Sequence, residues 1–173
     1  MNEIFDKPAE VFLRAIDQMA ESFEGEPPPS LYCVALDKDE QQMPKLVPDL
    51  MVLFISLIIE TNRTVYEALE WMVAHRSELV LPPPSIRFGW CLQHTTAVLP
   101  SSAGDPVNLA ALIDDADLHE TMRNLPRLRM IMLASPSLSE TSIRILTREG
   151  TTIRMAHIAE GHAVNLLLQL CQP

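Results

Sequence analysis

The chain lacks any apolar run long enough to cross a membrane. Its longest, Leu50 to Ile59, broken only by Ser56, falls well short of the roughly 20 residues a span needs and reads as a buried core element. Glycine is scarce, with five in 173 residues. No GxGxxG, GxxxxGK[ST] or GxSxG pattern occurs, so neither a phosphate-cradling loop nor a nucleophile elbow has local support. HExxH and CxxC are also missing. Three cysteines, Cys33, Cys91 and Cys171, are widely separated and odd in number. That excludes a paired disulfide framework and predicts reduced, buried thiols. The opening residues Met1 to Asp6 show no basic start followed by an apolar stretch. No secretory signal is therefore predicted, and the expected compartment is cytoplasmic. Aromatics make up only 5% of the chain, so base-stacking platforms for single-stranded nucleic acid are not expected.

What is present is apolar residue, at 47%, enough for one packed core over residues 1–173 resting on Leu, Ile, Val, Met and Ala. Net charge is −10 and uneven. Residues 1–78 hold fifteen acids and six bases, residues 79–173 eight acids and seven. An acidic first half argues against direct binding to a nucleic-acid backbone. It leaves open an acidic decoy for nucleic-acid-binding surfaces, provided the acids share one exposed face.

Hydrophobic periodicity predicts an alternation of helices and strands. Asp6 is read as an N-cap and Pro8 as first turn of a helix ending at Gly25, with Val11, Phe12, Ala15, Ile16, Met19 and Phe23 as its buried stripe and Asp17 off it. Leu31 to Leu36 reads as a strand and Asp37 to Gln42 as a loop. The Leu50–Ile59 block is helix by its length, with strand as the other option. Thr64 and Glu67 match a capping box. Ile86 to Leu99 reads as a long strand bent near Gly89, and Asp105-Pro106 opens a helix. Arg127–Ala134, Ser142–Thr147 and Thr151–Ile158 form a meander, with a turn at Arg148-Glu149-Gly150, and Ala163–Cys171 closes the chain as a helix. The predicted class is α+β: a largely antiparallel sheet of about four to five strands, with helices mainly on one face.

Candidate chemistry is sparse. His94-Thr95-Thr96-Ala97, followed by Asp105-Pro106, resembles a motif of the secondary thiamine-phosphate synthase family, in which a strand ends in such a run and an Asp-Pro pair follows. The resemblance spans residues 94–106. The downstream acid-histidine-rich stretch and second histidine it implies have Asp117-Leu118-His119-Glu120 and Ala156-His157 as candidates, and that family's glycine-rich closing segment has no counterpart here. His94 could act as a general base or a ligand, since a neutral imidazole suits both. His119 and Glu120 are the accompanying candidates, in the titratable cluster Asp114 to Glu120. His157 and His162 are five apart, which misses one helical face, and the sequence predicts neither a metal site nor a cofactor. Arg127 and Arg129 share a strand face, and Arg144 and Arg154 could join them across the ladder as a row for an anion or an acidic partner, even the acidic half of a second copy.

The expected function is that of a non-enzymatic protein working through a protein partner or self-association. The alternative is a small enzyme or ligand-binding domain with a site around His94 and the Asp114–Glu120 cluster.

Overall fold

The computed structural model describes residues 3–36, 44–97, 124–138, 141–156 and 161–172. The elements are helix α1 (Asp6–Glu21), strands β1 (Ser30–Leu36) and β2 (Pro44–Val47), helices α2 (Asp49–Ile59) and α3 (Val65–Ala74), strands β3 (Arg87–Ala97), β4 (Arg127–Ala134), β5 (Ile143–Glu149) and β6 (Thr152–Ala156), and helix α4 (His162–Cys171). The helix expected from Asp105-Pro106 lies outside the described residues.

The strands form one antiparallel sheet in the order β2-β1-β3-β4-β5-β6. Among the described residues it has six strands rather than about four to five. The additional one is β2, whose Pro44-Lys45-Leu46-Val47 follows a polar run and is too short to show alternation. Three helices, α2, α3 and α4, cover one face, packing against Leu31, Cys33, Trp90, Leu92, Met132 and Ile145. Helix α1 covers the other, against Tyr32, Val34, Phe88, Cys91, Ile131 and Leu133. Burial on both faces explains why Leu31–Val34 and Met130–Ala134 read as unbroken apolar runs, with no polar residue on alternate positions.

Two local expectations changed. Phe5 occupies the N-cap position of α1, and Asp6 is its first residue. The inward stripe is Ala9, Phe12, Leu13, Ile16, Asp17 and Ala20, while Val11, Met19 and Phe23 are exposed. The observed positions repeat at i, i+3, i+4, i+7 and i+8, the ordinary inward set of an amphipathic helix. A carboxylate at one of them shifted the predicted stripe by a residue.

Elsewhere the local chemistry holds. Thr64 Oγ1 accepts from Glu67 N, and the Glu67 carboxylate accepts from Thr64 N, closing the capping box of α3. Trp90 Nε1 donates to Leu170 O at 3.1 Å. That contact satisfies both the buried indole and a carbonyl of the last turn of α4, which has no partner inside its own helix.

The three cysteines are free, with Cys33 and Cys91 buried and Cys171 half-buried. Burial pushes the thiols up, Cys33 to about 11 and Cys171 to about 12, with Cys91 also raised. Thiolate is the reactive form. We expect a thiol-reactive disulfide reagent at neutral pH to label the native protein far more slowly than the denatured one, which should release three equivalents. Rapid labelling of Cys33 or Cys91 in the folded protein would contradict their placement.

Candidate functional site

The predicted arginine row is partly assembled, and it faces α1. Antiparallel pairing sets Arg129 opposite Arg148 and Arg144 opposite Leu133. Directly paired residues share a face, so Arg127, Arg129, Arg144 and Arg148 all point toward the α1 layer. Arg154 pairs with Thr147, which the pleat sends to the other face, so it does not join them. Arg148 takes that place. By its sequence Arg148 belongs to a turn, but β5 continues through Glu149.

Acids of the same chain meet these arginines. The Asp17 carboxylate accepts from Arg129 Nη1 at 2.9 Å and from Arg148 Nε and Nη2 at 2.9 and 2.5 Å. Arg129 also reaches Glu21 at 2.6 Å, and Arg144 Nη2 donates to Asp6 at 2.7 Å. Arg127 meets Glu26 at 3.2 Å in an exposed pair. Asp17 is 1% exposed. Burial alone would raise its pKa, but hydrogen bonds from Arg148 and Arg129, with their charges, outweigh it and hold the carboxyl below its ordinary 3.8. An open cleft of about 510 Å3 lies beside the cluster, lined by Glu21, Glu26, Arg127, Arg129 and Arg148. Asp17, Glu21 and Glu26 balance its three arginines, so the described groups give no excess positive charge to draw an anion. The same pairing occupies Asp6, Asp17 and Glu21 of α1, acids that a nucleic-acid decoy would have to present.

His94 lies on the opposite face of the sheet, opposite Met130. It is 6% exposed, and its Nε2 is buried with no hydrogen-bond partner among the described residues. Burial lowers its pKa below the ordinary 6.5, so the ring is neutral at pH 7. A cavity of about 130 Å3 adjoins it, lined by Tyr66, Met130, Met132, Ile145, His162 and Ala163 among others. The Tyr66 ring meets His94 edge-on at 6.5 Å between centroids and His162 at 6.2 Å. His162 Nε2 is 2.6 Å from Glu70 Oε1 in an exposed pair. The structure therefore brings His94 together with Tyr66 and His162. Nothing local in the sequence could signal that, because the three come from β3, α3 and α4. His119, Glu120, the rest of the Asp114–Glu120 cluster and His157 lie outside the described residues. His75 is elsewhere, stacked on Trp71 at 4.0 Å with Nδ1 2.9 Å from Trp71 O. Among the described residues, no three His, Cys, Asp or Glu side chains converge as a metal site would require.

The third feature is α2. Leu50, Phe54 and Leu57 point into the core. Val52 is 64% and Ile59 71% exposed, and Ile55, on the same side, is half-buried. No charged residue interrupts Leu50–Ile59. Among the described residues, no helix is long and apolar enough to cross a membrane.

No protein-family model matches the chain, and neither the curated proteins nor the solved structures yielded a match.

Proposed function

We propose that this chain is a non-enzymatic interaction protein that pairs with a second copy of itself through the outer face of α2. The observation that carries the reading is the row Val52, Ile55 and Ile59. Spacings of three and four put the three residues on one side of the helix, turned away from Leu50, Phe54 and Leu57. A helix that is apolar all round belongs in an interior, and here no described element covers the side that carries Val52 and Ile59.

Charge favours a second copy as the occupant. Each copy carries −10, so an interface between copies must avoid the acids, and this row contains none. A two-fold pairing sets the row against itself and buries no charge. The sheet edges are poor alternatives. β2 has four residues, including Pro44 and Lys45, and β6 has five, with Arg154 at its centre. Short, charged or proline-bearing edges resist strand addition. Helix α2 is about 16 Å long at 1.5 Å per residue. Pairing along it alone buries less than the roughly 800 Å2 per partner of a standard interface, so the association is reversible and concentration-dependent.

Sedimentation velocity over a concentration series tests this. The weight-average mass of the wild type should rise from 19.4 kDa toward twice that value. The double variant Val52→Glu, Ile59→Glu should stay at the monomer mass at every concentration. Both sites are exposed, so its unfolding free energy should match the wild type within about 0.5 kcal/mol. A wild type that remains monomeric throughout would overturn the proposal, as would a double variant that still associates.

A further inference from the structure

We propose that the cavity beside His94 is a binding site for small neutral aromatic alcohols, with a phenolic hydroxyl hydrogen-bonded to His94 Nε2. The site is separate from the outer face of α2 and does not depend on self-association.

Three observations carry it. The first is the orphaned atom. His94 is 6% exposed and its Nε2 has no partner among the described residues. A buried polar atom without a partner is costly, so a native structure that keeps one calls for an explanation such as a ligand or water that completes it. The second is size and lining. The cavity is about 130 Å3 and its walls include Met130, Met132, Ile145, Ala163 and Val164. A dry apolar cavity of about 150 Å3 admits a benzene ring, so one six-membered ring is the right scale. Thioethers make favourable contacts with aromatic edges, and two methionines line this space. The third is the rim. Tyr66 and His162 are both exposed and stand together at 6.2 Å, so the cavity opens to solvent between an aromatic ring and an imidazole.

The required group follows from the histidine. A ring nitrogen donates in one tautomer and accepts in the other. A hydroxyl does both, so it completes Nε2 in either form. A carboxylate only accepts, and to reach Nε2 it would have to shed its hydration beside Met130, Met132 and Ile145. An apolar ring without a hydroxyl fills the volume and leaves Nε2 unpartnered.

The test is an NMR titration of the full chain, labelled at methionine methyls and histidine ring nitrogens, with phenol, toluene and benzoate. Phenol should shift Met130, Met132 and the His94 ring saturably. Benzoate should bind at least about tenfold more weakly, since it buries an unpaired charge. In His94→Leu, phenol affinity should fall about fivefold, the worth of one neutral hydrogen bond, and toluene affinity should stay within about twofold. The wild-type ranking of phenol over toluene and benzoate stands without the variant, should that variant not fold. Absence of saturable shifts at Met130, Met132 and His94 with millimolar phenol would overturn the proposal. Equal losses of phenol and toluene binding in His94→Leu would also overturn it, because the hydroxyl would then not be held by the imidazole.

Discussion

Asp17→Ala should destabilise the protein by about 3 kcal/mol, the lower end of the cost of breaking a buried ion pair from one side. The carboxylate is the shared acceptor for Arg129 and Arg148. Its loss leaves two neighbouring guanidinium groups, paired across β4 and β5, facing the apolar stripe of α1 with Glu21 as their remaining acid. Arg129 keeps Glu21 as a partner, which holds the cost to the lower end. The exposed pair Arg127–Glu26 gives the contrast. Glu26→Ala should cost under about 1 kcal/mol, the ceiling for surface pairs. Chemical denaturation of both variants measures the difference. Equal, small effects would show that α1 is held to the sheet by its apolar stripe alone.

Acid should act through the same carboxylate. The folded-state pKa of Asp17 lies below its ordinary 3.8, so in acid the unfolded chain binds this proton more readily. The stability it contributes is fully present above 3.8 and is lost as pH falls through the folded value. His94 adds an earlier step. Its folded pKa lies below 6.5, so the unfolded chain takes up that proton first and stability declines as pH drops below 6.5. The wild type should therefore lose stability in two stages. Asp17→Asn should shrink the lower stage, to which Glu67, held below its ordinary 4.5 by its bonds with Thr64, also contributes, and leave the upper one.

Gly89→Ala should cost about 3 kcal/mol, the upper end for overpacking a tight site. A Cβ there would lie 2.0 Å from Ala134 O and 2.9 Å from Ser135 Cβ. The nearer obstacle is backbone at the end of β4, with no flexible side chain to swing aside. Ser135 Oγ also donates to Phe88 O at 2.5 Å, which ties the two segments together. The β1–β3 register shifts between Val34 and Ala35, beside this glycine. Gly150→Ala is the comparison. It has open space around it but a φ of +56°, and should cost about 1 kcal/mol from backbone strain alone. Urea midpoints at unchanged slope would rank the two. A Gly89→Ala protein as stable as the wild type would mean that the close approach of β3 and β4 is not needed for the fold.

Much of this architecture was legible from residue pattern. The capping box at Thr64, the meander of β4 to β6 and the closing helix all follow from local chemistry. Length chose helix over strand for Leu50–Ile59. The misreadings have physical causes. Asp17 looked like a solvent-facing position because it is charged, yet it completes the Ala9, Phe12, Leu13, Ile16, Ala20 series. A carboxylate within an otherwise regular inward stripe is itself the signal that cations wait on the facing layer. Arg148 is hidden by Gly150, whose turn signal starts the expected turn at Arg148, two residues ahead of where β5 gives way to it. Register decided which arginines share a face, and sequence spacing could not supply it for Arg154. The grouping of His94, Tyr66 and His162 joins three distant segments, so no local pattern could announce it.

The proposal of self-association through α2 is tested most directly by a mixed-label NMR experiment. One half of the sample carries isotopes at Val, Ile and Leu methyls, the other half is unlabelled, and only contacts between copies are recorded. Contacts between Val52, Ile55 and Ile59 of one copy and the same residues of its partner are the predicted result. Contacts that map to β2, β6 or the arginine cleft, or none at concentrations where the protein associates, would contradict the account.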